Sequence, residues 1–270
     1  MIVQSDGNSG SRFVMTMAEH TALAGQFAAQ FGNGMFEAVE PKELMLYMVS
    51  NHDAGWRELD AAVNRDSASG LPYHLVQTPL EWIIETSSAS PDFLGAQHPF
   101  CELLSSMHSW GLYNGRYGLS DKVLLDMIPE ANRPAVDSML AHEKNRQDSL
   151  REKLSRDPGT AGWVEPDKLF QSYKQLQFFD TLALYFNCTQ AEDREATSFE
   201  HVPLNRAQDS SVSIAPLGEN RYRLSPYPFN VTELVFQFSG RYLQPSSDQT
   251  ELNKQFEAAP FAEQKFCLCA

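Results

Sequence analysis

No stretch of this sequence approaches the roughly 18 consecutive apolar residues that a membrane-crossing helix needs, and no membrane partner is expected. Basic residues are few: 21 Lys and Arg stand against 35 Asp and Glu, a formal net charge of −14. Nucleic-acid surfaces normally carry a basic stripe, so this balance speaks against a nucleic-acid partner. Cysteine is scarce as well. Cys101, Cys188, Cys267 and Cys269 form no CxxC pair, which points to structural thiols in a reducing compartment. The opening residues "MIVQSDGNSG" lack the basic start and apolar centre of a secretion signal, and a cytoplasmic protein is expected. Without such a signal the sequons at Asn187 and Asn230 carry little weight, and the ending "CLCA" has no polybasic run before it. Internal repeats and an obvious linker are also missing.

What is present is enough apolar material for a core: 42% of the 270 residues are hydrophobic and 11% aromatic. Residues 1–17 read as two short strands around a Gly/Ser/Asn turn. Helical periodicity follows. "AEHTALAGQFAAQF" places His20, Leu23, Ala24, Phe27 and Phe31 on one face, and "PKELMLYMVSNHD" starts with Pro41 in a first turn and ends near Gly55. Residues 57–80 carry loop chemistry. Two further helices are expected in "PLEWIIETSS" and "HPFCELLSSMHSWGLY", a long exposed one between 120 and 158, and a strongly amphipathic one in "DKLFQSYKQLQFFDTLALYFN". From about 211 the alternation and the "GEN" turn suggest antiparallel strands. The expected architecture is mainly α: one helical domain over residues 1–243 with a small antiparallel β-sheet formed by the N- and C-terminal segments, then a polar tail over 244–270.

Four ionisable residues fall on inward stripes of separate helices. His20 lies on the first. Counting back from His52 by three, four and seven gives Val49, Met48 and Met45. His108 sits four after Leu104 and four before Leu112, and Asp180 sits four after Leu176 and four before Leu184. A single histidine on an apolar face is usually a hydrogen-bonded core residue, and an inward aspartate is usually capped or ion-paired. Together with Asp53 they form a set that one divalent cation would satisfy, because imidazole and carboxylate are its natural ligands. His98, just before Pro99, reads better as a cap or surface residue. Trp56, Tyr73 and Trp110 can line a pocket or simply pack.

His20, then the adjacent His52–Asp53, then a distant Asp180 resembles the ligand order of the HD-domain superfamily. More closely, the chain resembles the DUF3891 family at "MIV", "HDAGW", "GLPY", "LLSSMH", "LQFFDTLAL" and "PYPF", over most of residues 1–243. The resemblance implies an HD-domain-like helical core holding one or two divalent metal ions, with iron, manganese, nickel or cobalt as candidates. It makes His20, His52, Asp53 and Asp180 the first metal's ligands, with Asp53 also the residue that orients or deprotonates water. His108, and His74 from its loop, are placed to bind a second ion. The sequence departs from the pattern after the pair. Where many superfamily members have HDxxK or HDxGH, the residue here is Trp56, so the lysine that could meet a phosphate is absent and Arg57 or Arg116 must substitute.

Three functions follow as expectations. The first is a metal-dependent hydrolase acting on a small-molecule substrate, which the superfamily resemblance implies is a phosphoester, with Trp56 and Arg116 in the pocket. The second is a mixed-valence di-iron oxygenase using His20, His52, Asp53, His74, His108 and Asp180. The third is a binding protein that keeps its metal as a structural staple.

Overall fold

The computed structural model describes residues 1–5 and 10–270. Strands β1 (Ile2–Val3) and β2 (Arg12–Met15) are antiparallel neighbours that pair Val3 with Val14; the Gly/Ser/Asn turn expected between them lies outside the described residues. Helix α1 (Met17–Gln30) starts at Thr16, whose side chain accepts from the Glu19 N–H at 3.3 Å. Such a cap satisfies one of the amides a helix start leaves over. Its buried face carries His20, Leu23, Ala24 and Phe27. Helix α2 (Lys42–Val49) packs against it. A Cβ built on Gly25 would come within 2.1 Å of the Ser50 hydroxyl oxygen, so glycine there lets the chain leaving α2 press onto α1.

The helical layer continues with α3 (Arg57–Ala61), α4 (Leu80–Gly95), α5 (Pro99–Tyr113), a single four-residue turn α6 (Gly115–Gly118), α7 (Arg133–Ser155) and α8 (Pro166–Cys188). The segment expected to be one helix over 120–158 makes only two short 3-10 turns, Leu124–Met127 and Glu130–Asn132, before Arg133, because Ile128 is extended ahead of Pro129 and Pro134 suits only a first turn. α7 then buries Val136, Met139, Leu140 and Leu150 and packs on α5. α8 differs from its sequence reading too. Instead of one apolar stripe it is enclosed on most sides, with Gln171, Gln175, Leu176, Phe178 and Asp180 all buried. Two of its glutamines donate to one residue: Gln171 Nε2 to Glu37 Oε2 at 2.8 Å and Gln175 Nε2 to the Glu37 carbonyl at 3.1 Å. Among the described residues no helix is long and apolar enough to cross a membrane.

The sheet overturns the expected fold class. Strands β3 (Thr197–Pro203), β4 (Asp209–Gly218), β5 (Arg221–Ser225), β6 (Glu233–Leu243) and β7 (Ala262–Cys269) join β1 and β2, and the described residues form one seven-stranded sheet in the order β1-β2-β6-β7-β5-β4-β3. It is mixed, with β5 and β7 parallel and the other neighbours antiparallel. A half-barrel sheet of this size is not the small antiparallel sheet inside a mainly helical core that the sequence suggested. The reason is one-sided burial. In β7, Phe266 and Leu268 face the core while Glu263 and Lys265 are exposed, so a central strand reads as polar. Residues 244–270, expected as a polar tail, thus supply helix α9 (Gln249–Ala258) and the strand seated between β6 and β5. Aromatic rings join the layers: Phe236 of β6 meets Phe27 of α1 at 5.0 Å and Phe186 of α8 at 4.7 Å between centroids.

Candidate metal centre

Four segments of the chain converge on one site. α1 brings His20, α5 brings His108 and α8 brings Asp180. His52 and Asp53 do not lie on a helix. α2 stops at Val49, and the pair occupies the turn that leads into a short 3-10 segment, Ala54–Trp56. Gly55, expected to end that helix, has another task. A Cβ there would lie 2.2 Å from the Thr86 carbonyl oxygen, and its N–H donates to Ser90 Oγ at 2.9 Å. Glycine at 55 is what lets this turn dock on α4 and fixes the position of Asp53.

His20, His52, His108 and Asp180 are almost fully buried, and the Asp53 side chain is 15% exposed. His20 Nε2 is 3.1 Å from Asp180 Oδ1, and His52 Nε2 is 3.7 Å from the same oxygen and 3.6 Å from Asp53 Oδ2. His108 Nε2 is 3.9 Å from Asp53 Oδ1. Ligand atoms each about 2.1 Å from one ion lie about 3.0 Å apart at right angles and about 3.4 Å apart tetrahedrally. The observed separations are close to those edges.

The second layer of hydrogen bonds sets the rings. His52 Nδ1 donates to the Val49 carbonyl at 2.7 Å, which leaves its Nε2 with a lone pair. Among the described residues that buried nitrogen makes no hydrogen bond, and it faces two carboxylates at 3.6 and 3.7 Å. His20 Nδ1 lies 2.9 Å from Asn187 Oδ1 and donates to it, turning its own Nε2 lone pair inward. At His108 the Gln177 amide nitrogen lies 3.0 Å from Nδ1 and donates to it, so the ring proton sits on Nε2, toward Asp53. Neither Asn187 nor Gln177 was singled out from the sequence. The signal was available, since Asn187 lies seven residues after Asp180 and Gln177 three before it, on the same helical stripe.

The charges respond to this crowding. Burial lowers the His52 pKa, but Asp53 and Asp180 outweigh it and raise the group to about 9. Burial pushes Asp180 upward, yet the His20 and His52 rings drawn up against its carboxylate hold it well below the ordinary carboxylate value. For His108 burial dominates, and despite Asp180 and Asp53 its pKa falls to about 4. A buried lone pair held against two carboxylates fits a cation better than it fits any neutral packing. The donor sets His20–His52–Asp180 and His52–Asp53–His108 each have ligand atoms within 4.8 Å of one another and could hold a metal ion. His52 belongs to both sets.

The remaining candidates lie elsewhere or play another part. His74 Nδ1 accepts from the Val3 N–H at 3.1 Å, burial lowers its pKa to about 4, and it belongs to neither donor set. His98 caps α5, accepting from the Phe100 N–H at 3.0 Å. Trp56 is 8% exposed and packs into the main core. Arg57 stacks over Phe93 at 4.3 Å. Arg116 does reach the centre, with Nη2 3.8 Å from Asp180 Oδ2.

A family model described as "Protein of unknown function (DUF3891)" matches residues 1–245. No curated protein and no solved structure matches the chain.

Proposed function

The chain belongs to the DUF3891 family, and we propose that it is a metal-dependent hydrolase built on one cation, acting on a phosphoester. The observation that carries this reading is the orphaned Nε2 of His52, buried between Asp53 and Asp180. His20, His52, Asp53 and Asp180 would hold the ion, in an order that resembles the ligand order of the HD-domain superfamily. When bound, a divalent ion lowers the pKa of a coordinated water toward about 7 and polarises the scissile group. Asp53 has the most solvent access of the four, and its carboxylate is the one able to orient a water and take its proton. His108 is neutral and turns its Nε2–H toward Asp53, which fits a hydrogen-bond donor to that carboxylate or to the substrate. Arg116 replaces the lysine missing after the HD pair as the cation that meets a substrate anion.

The di-iron oxygenase reading draws on His108, which with Asp53 and His52 forms the second donor set. It calls for a further lone pair, and His74 gives its own to the β1 backbone. Metal analysis of protein purified without chelators separates the readings. One manganese, nickel or cobalt per chain, together with metal-dependent cleavage of a nitrophenyl phosphate ester, supports the hydrolase. Two irons per chain would favour the oxygenase, and no bound metal would remove the basis of both.

A further inference from the structure

Beside the metal centre, α6, α8 and β3 enclose a cleft of about 240 Å³. None of the proposed ligands lines it, but two of their immediate neighbours do: Arg116, beside Asp180, and Gln177, bonded to His108. Phe199, Glu200 and His201 of β3 form the opposite wall.

Both walls use backbone conformations that side chains other than glycine avoid. Gly115, Arg116, Tyr117 and Gly118 have φ of +59°, +51°, +58° and +88°, one turn of left-handed helix. His201 has φ +59° and sits in the register shift between Phe199 and Val202. The other positive-φ residues that are not glycine, Glu219 and Asn220, belong to the β4–β5 hairpin turn, which favours that geometry. Of the three such residues outside a hairpin turn among the described residues, two line this cleft and the third, Tyr117, lies in the same turn as Arg116. Strain kept on both sides of one cavity suggests that what it presents there is needed.

What the left-handed turn presents is a guanidinium. The Arg116 side chain is 24% exposed, its 3.8 Å approach to Asp180 is longer than a hydrogen bond, and among the described residues its N–H groups donate to no acceptor. The other cation on the cleft, Lys174, is already paired with Asp209. A half-buried guanidinium with its donors uncommitted, at the junction of a cavity and a metal centre, suits an anion.

We propose that this cleft is the substrate-recognition pocket, that it takes a small organic anion whose phosphate or carboxylate is received by Arg116, and that His201 on the far wall is a specificity-determining residue. The proposal rests on the hydrolase reading for which end of the substrate reacts, and on the cleft alone for binding.

Calorimetric titration of the full-length protein with inorganic phosphate and with malonate tests it, alongside metal content and Tm. The variants are Arg116→Asn and His201→Asn, because asparagine tolerates a left-handed backbone and removes only the side-chain function. The tighter of the two anions identifies the substrate's charged group. Arg116→Asn should weaken that anion tenfold or more without lowering Tm. His201→Asn should change the phosphate-to-malonate affinity ratio at least threefold, again at constant Tm. Affinities within twofold of wild type in Arg116→Asn would overturn the pocket, and an unchanged ratio in His201→Asn would overturn that residue's role. A wild-type protein that holds metal but binds neither anion refutes the pocket and leaves the metal centre standing. One that binds an anion through Arg116 but holds no metal refutes the hydrolase reading and leaves the pocket standing.

Discussion

His52 Nε2 stands 3.7 Å from Asp180 Oδ1 with its ring's other nitrogen tied to the Val49 carbonyl. Asp53 Oδ2 approaches the same lone pair at 3.6 Å. Three electron-rich atoms held this close repel one another unless a positive charge lies among them. In metal-free protein a proton supplies that charge, which is why the His52 pKa rises to about 9 against the opposing effect of burial. Proton and metal ion compete for one lone pair.

That competition makes stability and metal uptake depend on pH. Because the folded pKa of His52 is raised, its contribution is fully present below the ordinary histidine value near 6.5 and is lost as pH climbs through about 9. His74 and His108 act in the opposite direction: with folded pKa values near 4 they withdraw stability as pH falls below about 6.5. Chelator-stripped protein should therefore show its highest Tm near neutrality and a decline toward pH 9 and above. Added metal should abolish the alkaline decline, and metal affinity should strengthen between pH 7 and 9. A stripped protein with a flat Tm from pH 7 to 10 would contradict the role given to His52.

Asp53→Ala should empty the centre while leaving the chain folded. The residue lies in a turn with a partly exposed side chain, and its removal relieves repulsion against Asp180. Metal content should fall below about a tenth of an equivalent, consistent with the loss of a charged ligand, and the stripped variant should still unfold cooperatively, with a weaker decline of Tm toward pH 9 because one of the two charges that raise the His52 pKa is gone. Wild-type metal content in this variant would remove Asp53 from the ligand set.

Replacing His74 should have the reverse pattern. His74→Ala takes away the acceptor of the Val3 N–H, and leaving that donor unsatisfied costs about 1–3 kcal/mol. Denaturant unfolding should show this loss, with metal content unchanged. Loss of a whole metal equivalent would instead place His74 at a second ion and favour the oxygenase.

Asn187→Ala tests the support behind His20. The Asn187 side chain accepts from His20 Nδ1 at 2.9 Å and fixes which nitrogen faces Asp180. Outer partners of ligand histidines are typically worth about 10–100-fold in metal affinity, and a drop in that range is expected from competition with a chelating dye. An unchanged affinity would mean that packing alone orients the ring.

Local periodicity was enough to point His20, His108 and Asp180 inward, because each lies on a regular helix whose apolar neighbours recur every three or four residues. The same rule misplaced His52 onto a helix. The chain leaves α2 after Val49, and what directs His52 inward is the docking of Gly55 on α4, a contact between segments distant in sequence. Whether His74 joined the centre could not be read from its order in the chain, since its ring meets the backbone of β1. The sheet was hidden for a related reason. A strand such as β7, apolar only at Phe266 and Leu268, gains its identity from pairing with β5 and β6 on either side. Strand order, the left-handed turn that carries Arg116, and the cleft it shares with His201 are likewise products of non-local packing. Side-chain spacing encodes which face of a helix is buried, whereas hydrogen-bond partners far along the chain decide what that face meets.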